Sequence, residues 1–245
     1  MIPRFFASLR NDNLQLKTPM PLRADTLPYR KPELGKHYWI KDNILPDPIP
    51  VVERCFNKTE WTMGAPWRPE PWPGMRAPDA LLPEELAVVE DWVKPQIGVR
   101  ALRPQGAPVN GVSGHNHVQV VGGGEAVARP HVDSSKLCDY AGVLYLHPYP
   151  PTKHAGTSFY RLRLPDGTLG GNICPPPYES LAHIPGFAKG SDLTMWEEDI
   201  EVPYVFNRML IYKSDIVHSA TAYFGWDHEL GSKRIAVVFF WKTLS

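Results

Sequence analysis

Arg234-Ile235-Ala236-Val237-Val238-Phe239-Phe240-Trp241 is the stretch on which the fold turns. Its β-branched and aromatic residues favour a strand, whose alternation sets Arg234, Ala236, Val238 and Phe240 on one face. Runs of the same kind occur at His117–Val121, Ala126–Val132, Ala141–His147, Thr157–Leu164, Tyr204–Tyr212 and Asp215–Ala220, separated by Gly, Pro, Asn and Asp. This many short strands at such spacing predict a sandwich or jelly-roll barrel. Before Gly98 the pattern differs. Ile49–Phe56 carries apolar residues on one side, and Leu81–Val93 has Pro83, Glu84 and Glu85 in its first turn, as helix N-termini prefer. The expectation is a mainly β chain with a helical N-terminal part, forming one domain over residues 1–245. Residues 1–100 are its helical and loop-rich support, and residues 101–245 are the jelly-roll core.

Composition excludes several classes. The 26 basic residues balance the 26 acidic ones, whereas nucleic-acid binders carry a basic excess to displace counterions. The run Ile235–Trp241 is far short of the ~20 apolar residues that span a bilayer. Phe5–Leu9 is too short for a signal-peptide core and runs directly into Arg10, Asn11 and Asp12, so a cytoplasmic location is expected. Cys55, Cys138 and Cys174 are odd in number and lack Cys-x-x-Cys spacing, which predicts buried reduced thiols. The 27 prolines cluster most densely between Pro66 and Pro78, around Trp67 and Trp72. That loop reads either as packed on the core or as a substrate lid, the first being favoured.

Three motifs carry no chemistry. Gly122-Gly123-Gly124 lacks the Lys and Ser/Thr of a phosphate cradle and reads as a turn. Gly111-Val112-Ser113-Gly114 lacks the spacing of a hydrolase nucleophile elbow. The sequon Asn57-Lys58-Thr59 has no consequence without secretion.

Among the nine histidines, His115 and His117 have no Glu at the spacing a cupin metal motif needs. His131-Val132-Asp133 is different. On a strand the two polar residues share a face, and imidazole plus carboxylate begins a two-His-one-carboxylate triad, which suits non-heme Fe(II) with open positions. A chain of this composition holds about half a His-x-Asp match by chance, so the later context decides. His218 follows a strand-like run and can supply the third ligand. Arg234 then enters the interior, where an arginine needs an anion.

These residues resemble the Fe(II)/2-oxoglutarate dioxygenases, most closely their prolyl-hydroxylase branch, over about Gln119 to Trp241. The resemblance implies a double-stranded β-helix core in which His131, Asp133 and His218 are the iron ligands. It places Tyr145 and Thr157, in Gly156-Thr157-Ser158-Phe159-Tyr160, on strands flanking the co-substrate. Arg234 takes the position that holds the distal carboxylate of 2-oxoglutarate, with Lys233 as competitor, since Phe224–Ser232 lengthens the interval after His218. Strand phase and the planar fork favour Arg234. Tyr38–Pro48 and Pro73-Gly74-Met75-Arg76 are similar to segments of a group described only as a domain of unknown function, which implies no chemistry.

The family chemistry implied is hydroxylation of an unactivated C–H bond using Fe(II), 2-oxoglutarate and O2, with release of succinate and CO2. Desaturation and ring formation remain open, whereas Asp133 leaves no vacancy for a halide. Gln119 and Arg129 are the substrate-facing candidates, although either can instead close the barrel end. If Arg129 faces the cavity it can hold a carboxylate, which points to a small amino acid or amino-acid-derived metabolite as the small-molecule partner. The alternatives are a peptidyl or protein residue, with the Trp67/Trp72 loop as a groove, and a catalytically silent binding module.

Overall fold

The computed structural model describes residues 23–105, 114–185, 187, 193–226 and 228–244. Phe5–Leu9 and residues 111–113 of the serine motif lie outside these. The elements are β1 (Tyr38–Lys41), α1 (Ile49–Phe56), β2 (Thr62–Met63), β3 (Met75–Ala77), α2 (Pro83–Ile97), β4 (Ala101–Pro104), β5 (His117–Val121), β6 (Tyr140–Tyr145), β7 (Thr157–Leu162), β8 (Trp196–Val202), β9 (Arg208–Lys213), β10 (His218–Ala220) and β11 (Arg234–Leu244).

Two antiparallel sheets form a jelly roll. The larger has the order β1-β9-β6-β11-β5-β3-β2, with β4 added to the C-terminal half of β11; the smaller has the order β10-β7-β8. His131 bridges His218 and so joins the smaller sheet beside β10. From β5 onward the chain passes from large sheet to small and back: β5, the His131 segment, β6, then β7 and β8, β9, β10 and β11. That alternation is the double-stranded β-helix expected above.

The faces of β11 explain how the layers stack. Ile235, Val237, Phe239 and Trp241 pack with Val51, Val52 and Cys55 of α1 and Val89 and Val93 of α2. Its other face turns Ala236 toward Phe159 and Val202 of the small sheet, and Arg234, Val238 and Phe240 toward a cavity between the sheets. The helices therefore cover the outside of the large sheet and leave its inner face free to line a site. Burying four large side chains on the helix face contributes about 2 kcal/mol each.

Several elements depart from the expected ones. Ala126–Val132 is not a ladder strand: only His131 forms a bridge, and the chain before it is irregular. The first hundred residues also contribute β1, β2 and β3 to the large sheet. α2 runs past Val93 through Pro95 and is closed by Gly98 in the left-handed conformation at φ 71. Asp215 lies in a turn before β10, where its carboxylate pairs with Arg30 at 2.8 Å. β8 escaped the reading because Glu197, Glu198, Asp199 and Glu201 disguise it. Such charges suit the edge of a sheet, where they discourage pairing with another chain. The three cysteines are free and buried, as expected. Among the described residues no helix is long and apolar enough to cross a membrane.

Candidate metal centre

The bridge between His131 and His218 is closed by reciprocal backbone bonds, His131 N–H to His218 O at 2.9 Å and His218 N–H to His131 O at 2.8 Å. The Asp133 N–H donates to Ser214 O at 3.1 Å, which ties the next residues to the turn before β10. These bonds bring three side chains from two distant segments together. The ligand atoms of His131, Asp133 and His218 all lie within 4.8 Å of one another. Asp133 Oδ1 is 3.8 Å from His131 Nε2, and Asp133 Oδ2 is 3.4 Å from His218 Nε2.

The tautomers follow from the outer bonds. His131 Nδ1 is 2.8 Å from Arg129 O, and His218 Nδ1 is 2.8 Å from Ile216 O. A carbonyl only accepts, so each Nδ1 carries a proton and each Nε2 presents a lone pair inward, the arrangement metal-binding histidines adopt. Among the described residues Asp133 Oδ2 is buried without a hydrogen-bond donor. Two lone pairs and an orphaned carboxylate oxygen facing one point are an unfavourable set unless a cation occupies it. The donor set fits iron(II) or a similar divalent ion.

Exposure shows where the open side lies. The His131 side chain is 55% exposed, whereas Asp133 and His218 are nearly enclosed. The His131 ring faces a cavity of about 1090 Å³. Confinement by the cavity walls, and then the adjacent His218, hold its pKa below the ordinary value. Burial alone would raise the Asp133 carboxyl, whereas positive charge beside it, from His218 and His131 when protonated and from the Arg76 guanidinium, holds it below the usual range.

The other candidates fall around the same cavity. Arg234 is buried, with Nε donating to Ala155 O at 2.8 Å and Nη2 to Gly156 O at 3.2 Å, and among the described residues its other donors have no hydrogen-bond partner. Lys233 turns the other way, onto buried Glu125, which also takes the Gly122 N–H at 2.6 Å. Thr157, Gln119 and Arg129 line the cavity. Gln119 Nε2 donates to Pro73 O at 2.8 Å, and Arg129 is exposed at the rim. Tyr145 stands one layer back, its hydroxyl donating to Thr157 Oγ1 at 2.9 Å and its ring beneath Arg234 at 5.7 Å. Burial pushes its phenol up to about 12, so it stays neutral. Of the two loop tryptophans, Trp72 lines the cavity and Trp67 does not.

Three further cavity residues escaped the sequence reading. Tyr212 lies against His218 with ring centroids 4.4 Å apart. Tyr223 lies within 5.7 Å of the Arg234 guanidinium. Arg76 enters from β3, an element too short to announce itself by periodicity. The one available signal for Tyr212 was strand phase, since it pairs with Ala141, which in turn faces Phe240 of β11; Tyr223 lies outside the strands and had none.

No protein-family model matches the chain, and no curated protein is similar to it. Among solved structures, a Pseudomonas putida prolyl-4-hydroxylase aligns at 14% identity and TM-score 0.43, over 86% of this chain and 95% of that one. The epimerase SnoN, in complex with Fe3+, alpha ketoglutarate and nogalamycin RO, aligns at 13% identity and TM-score 0.43, over 84% and 78%. A second SnoN structure, described as a non-heme alpha ketoglutarate dependent epimerase from nogalamycin biosynthesis, gives 14% and 0.44, over 83% and 78%. At that level of similarity the reading of the site stands on its own side chains.

Proposed function

We propose that this protein is an Fe(II)/2-oxoglutarate-dependent oxygenase that hydroxylates an unactivated C–H bond of a small amino acid or amino-acid-derived metabolite. The observation that carries this is the cluster itself: two imidazoles with their Nδ1 protons parked on carbonyls, and an orphaned carboxylate oxygen, at the wall of a cavity that also holds Arg234. With iron(II) and 2-oxoglutarate bound, the chemistry supplied is the coupled reaction of 2-oxoglutarate, O2 and R–H to succinate, CO2 and R–OH.

The chain's own residues do the rest. His131, Asp133 and His218 would hold the metal from one side, leaving its cavity side open. Arg234 orients the co-substrate through its distal carboxylate, braced by Ala155 and Gly156 and by the Tyr145–Thr157 pair behind it. The apolar walls Val143, Leu137, Val238 and Phe240 exclude water from the reacting carbon. Arg129 stands at the rim, where a substrate carboxylate would pass.

Addition of Fe(II) and 2-oxoglutarate without oxygen is expected to produce a weak visible charge-transfer band, and its absence from folded protein would favour a silent binding module. Succinate release measured across free amino acids and peptides then separates substrates. Stimulation by peptides alone excludes the small-metabolite reading.

A further inference from the structure

Arg76 is a cavity cation that the metal and co-substrate leave unused. It is the middle residue of β3, paired in register with Gln119 of β5, and it lines the same cavity as the three candidate ligands. Its guanidinium lies over the Trp72 ring at 4.3 Å. Among the described residues its Nε, shielded from solvent, has no hydrogen-bond partner. Gly64 makes the stack possible: a Cβ there would lie 2.4 Å from the Trp72 ring. A partly buried guanidinium with an unmet Nε donor is unfavourable in a folded chain unless something arrives to meet it.

The charges around it name the class of that visitor. Tyr223 lies 5.7 Å from the Arg234 guanidinium, and Arg76 and Arg129 line the same cavity, so three cationic side chains border one space. The carboxylates that Arg76 feels are Asp133, committed to the metal cluster, and Glu70. A divalent metal and the 2-oxoglutarate dianion cancel, and Asp133 balances Arg234. With Lys136 paired to Glu179, Arg68, Arg76 and Arg129 are then left facing Glu70 alone, a surplus of positive charge in a confined space.

We propose that Arg76 anchors a carboxylate of the substrate, so that the molecule oxidised is an organic anion held between the Trp72–Arg76 stack and the metal centre. This rests on the oxygenase reading and narrows it. Trp72 fixes the plane of the guanidinium and leaves its edge for a bidentate carboxylate. A free α-carboxylate satisfies that edge; the backbone of an internal peptide residue has no such charge. Arg129, exposed at the rim, draws the anion inward but does not fix it.

The test is an anaerobic titration of wild type, Arg76→Met and Arg76→Lys with Fe(II) and 2-oxoglutarate, followed by free L-amino acids, each compared with its carboxamide. The readout is perturbation of the visible chelate band, which needs no turnover. In wild type at least one free acid is expected to bind tenfold or more tightly than its amide. Arg76→Met reduces that preference below twofold, and Arg76→Lys, keeping charge without the fork, retains part of it. Should Arg76→Met fail to fold, Arg76→Lys carries the test, with at least a threefold loss of preference expected. Full retention of the preference in the variant that folds overturns the proposal, as does the absence of any acid-over-amide preference in wild type. Loss of the band in Arg76→Met with unchanged circular dichroism assigns Arg76 to 2-oxoglutarate and overturns it too. No band in wild type is a different result: it brings down the oxygenase reading beneath.

Discussion

His131 and His218 hold their rings in the orientation that a metal ligand requires. Each ring spends its Nδ1 proton on a carbonyl two residues away along its own chain, Arg129 O and Ile216 O. The inward nitrogens are thereby fixed as acceptors. His131→Ala or His218→Ala is expected to abolish the Fe(II)·2-oxoglutarate band and succinate formation, at least 100-fold. Each should cost only about 1–2 kcal/mol of stability, the scale of the lost hydrogen bond and packing. Denaturant midpoints measured beside metal titrations check this, and unfolding of both variants would mark the histidines as structural. At this scale the trio was legible, because two of its members are neighbours in sequence and the third follows a strand-like run. Arg76 was not, since a lone arginine on a three-residue strand carries no pattern, and only the unmet Nε and the Trp72 stack single it out.

At the scale of the element, the start of β7 holds the Arg234 side of the cavity in place. Gly156 sits where a Cβ would come within 1.9 Å of Val202 O and 2.7 Å of Tyr204 N, both backbone atoms that cannot swing aside. Its own carbonyl receives Arg234 Nη2, and Thr157 beside it receives the Tyr145 hydroxyl. Gly156→Ala must push β7 away from the end of β8. We expect a loss of about 2–3 kcal/mol, the range of overpacking. Weaker 2-oxoglutarate binding should accompany it, because Arg234 and Thr157 move together. A folded variant with wild-type 2-oxoglutarate affinity would disconnect the glycine from the site. The strands legible in sequence were those buried between two layers, where β-branched and aromatic residues are required. β8 and β4 were missed because they are edge strands, built from acids in one and ending in Pro104 in the other.

At the scale of the whole molecule, burial of neutral histidines sets the acid limit of stability. Burial pushes His115 down to about 4 from an ordinary 6.5, and His117, fully enclosed with neither ring nitrogen hydrogen-bonded among the described residues, lies well below its ordinary value. A folded-state pKa below the unfolded one means that the unfolded chain takes up protons first. This contribution is therefore complete above about pH 6.5 and is lost as pH falls toward 4, at about 1.4 kcal/mol per unit for each group. The urea midpoint is expected to drop between about pH 7.5 and pH 5, and His117→Leu should flatten that limb. An unchanged slope in the variant would remove His117 from the account.

What the sequence determined by itself was the alternating apolar pattern of the inner strands, the helices that cover one face, and the order His131, Asp133, His218, Arg234 along the chain. Those are properties of short windows, where periodicity and neighbour spacing report directly on which side a residue faces. Only the tertiary structure decided that Lys233 turns to Glu125 while Arg234 enters the cavity. It likewise decided that the irregular segment before His131 reaches β10 through a single bridge, and that Arg76 shares a cavity with His131, Asp133 and His218. Each of these depends on contacts between segments far apart in sequence, whose energies are set by burial and by which charges remain unpaired, and no local pattern records them.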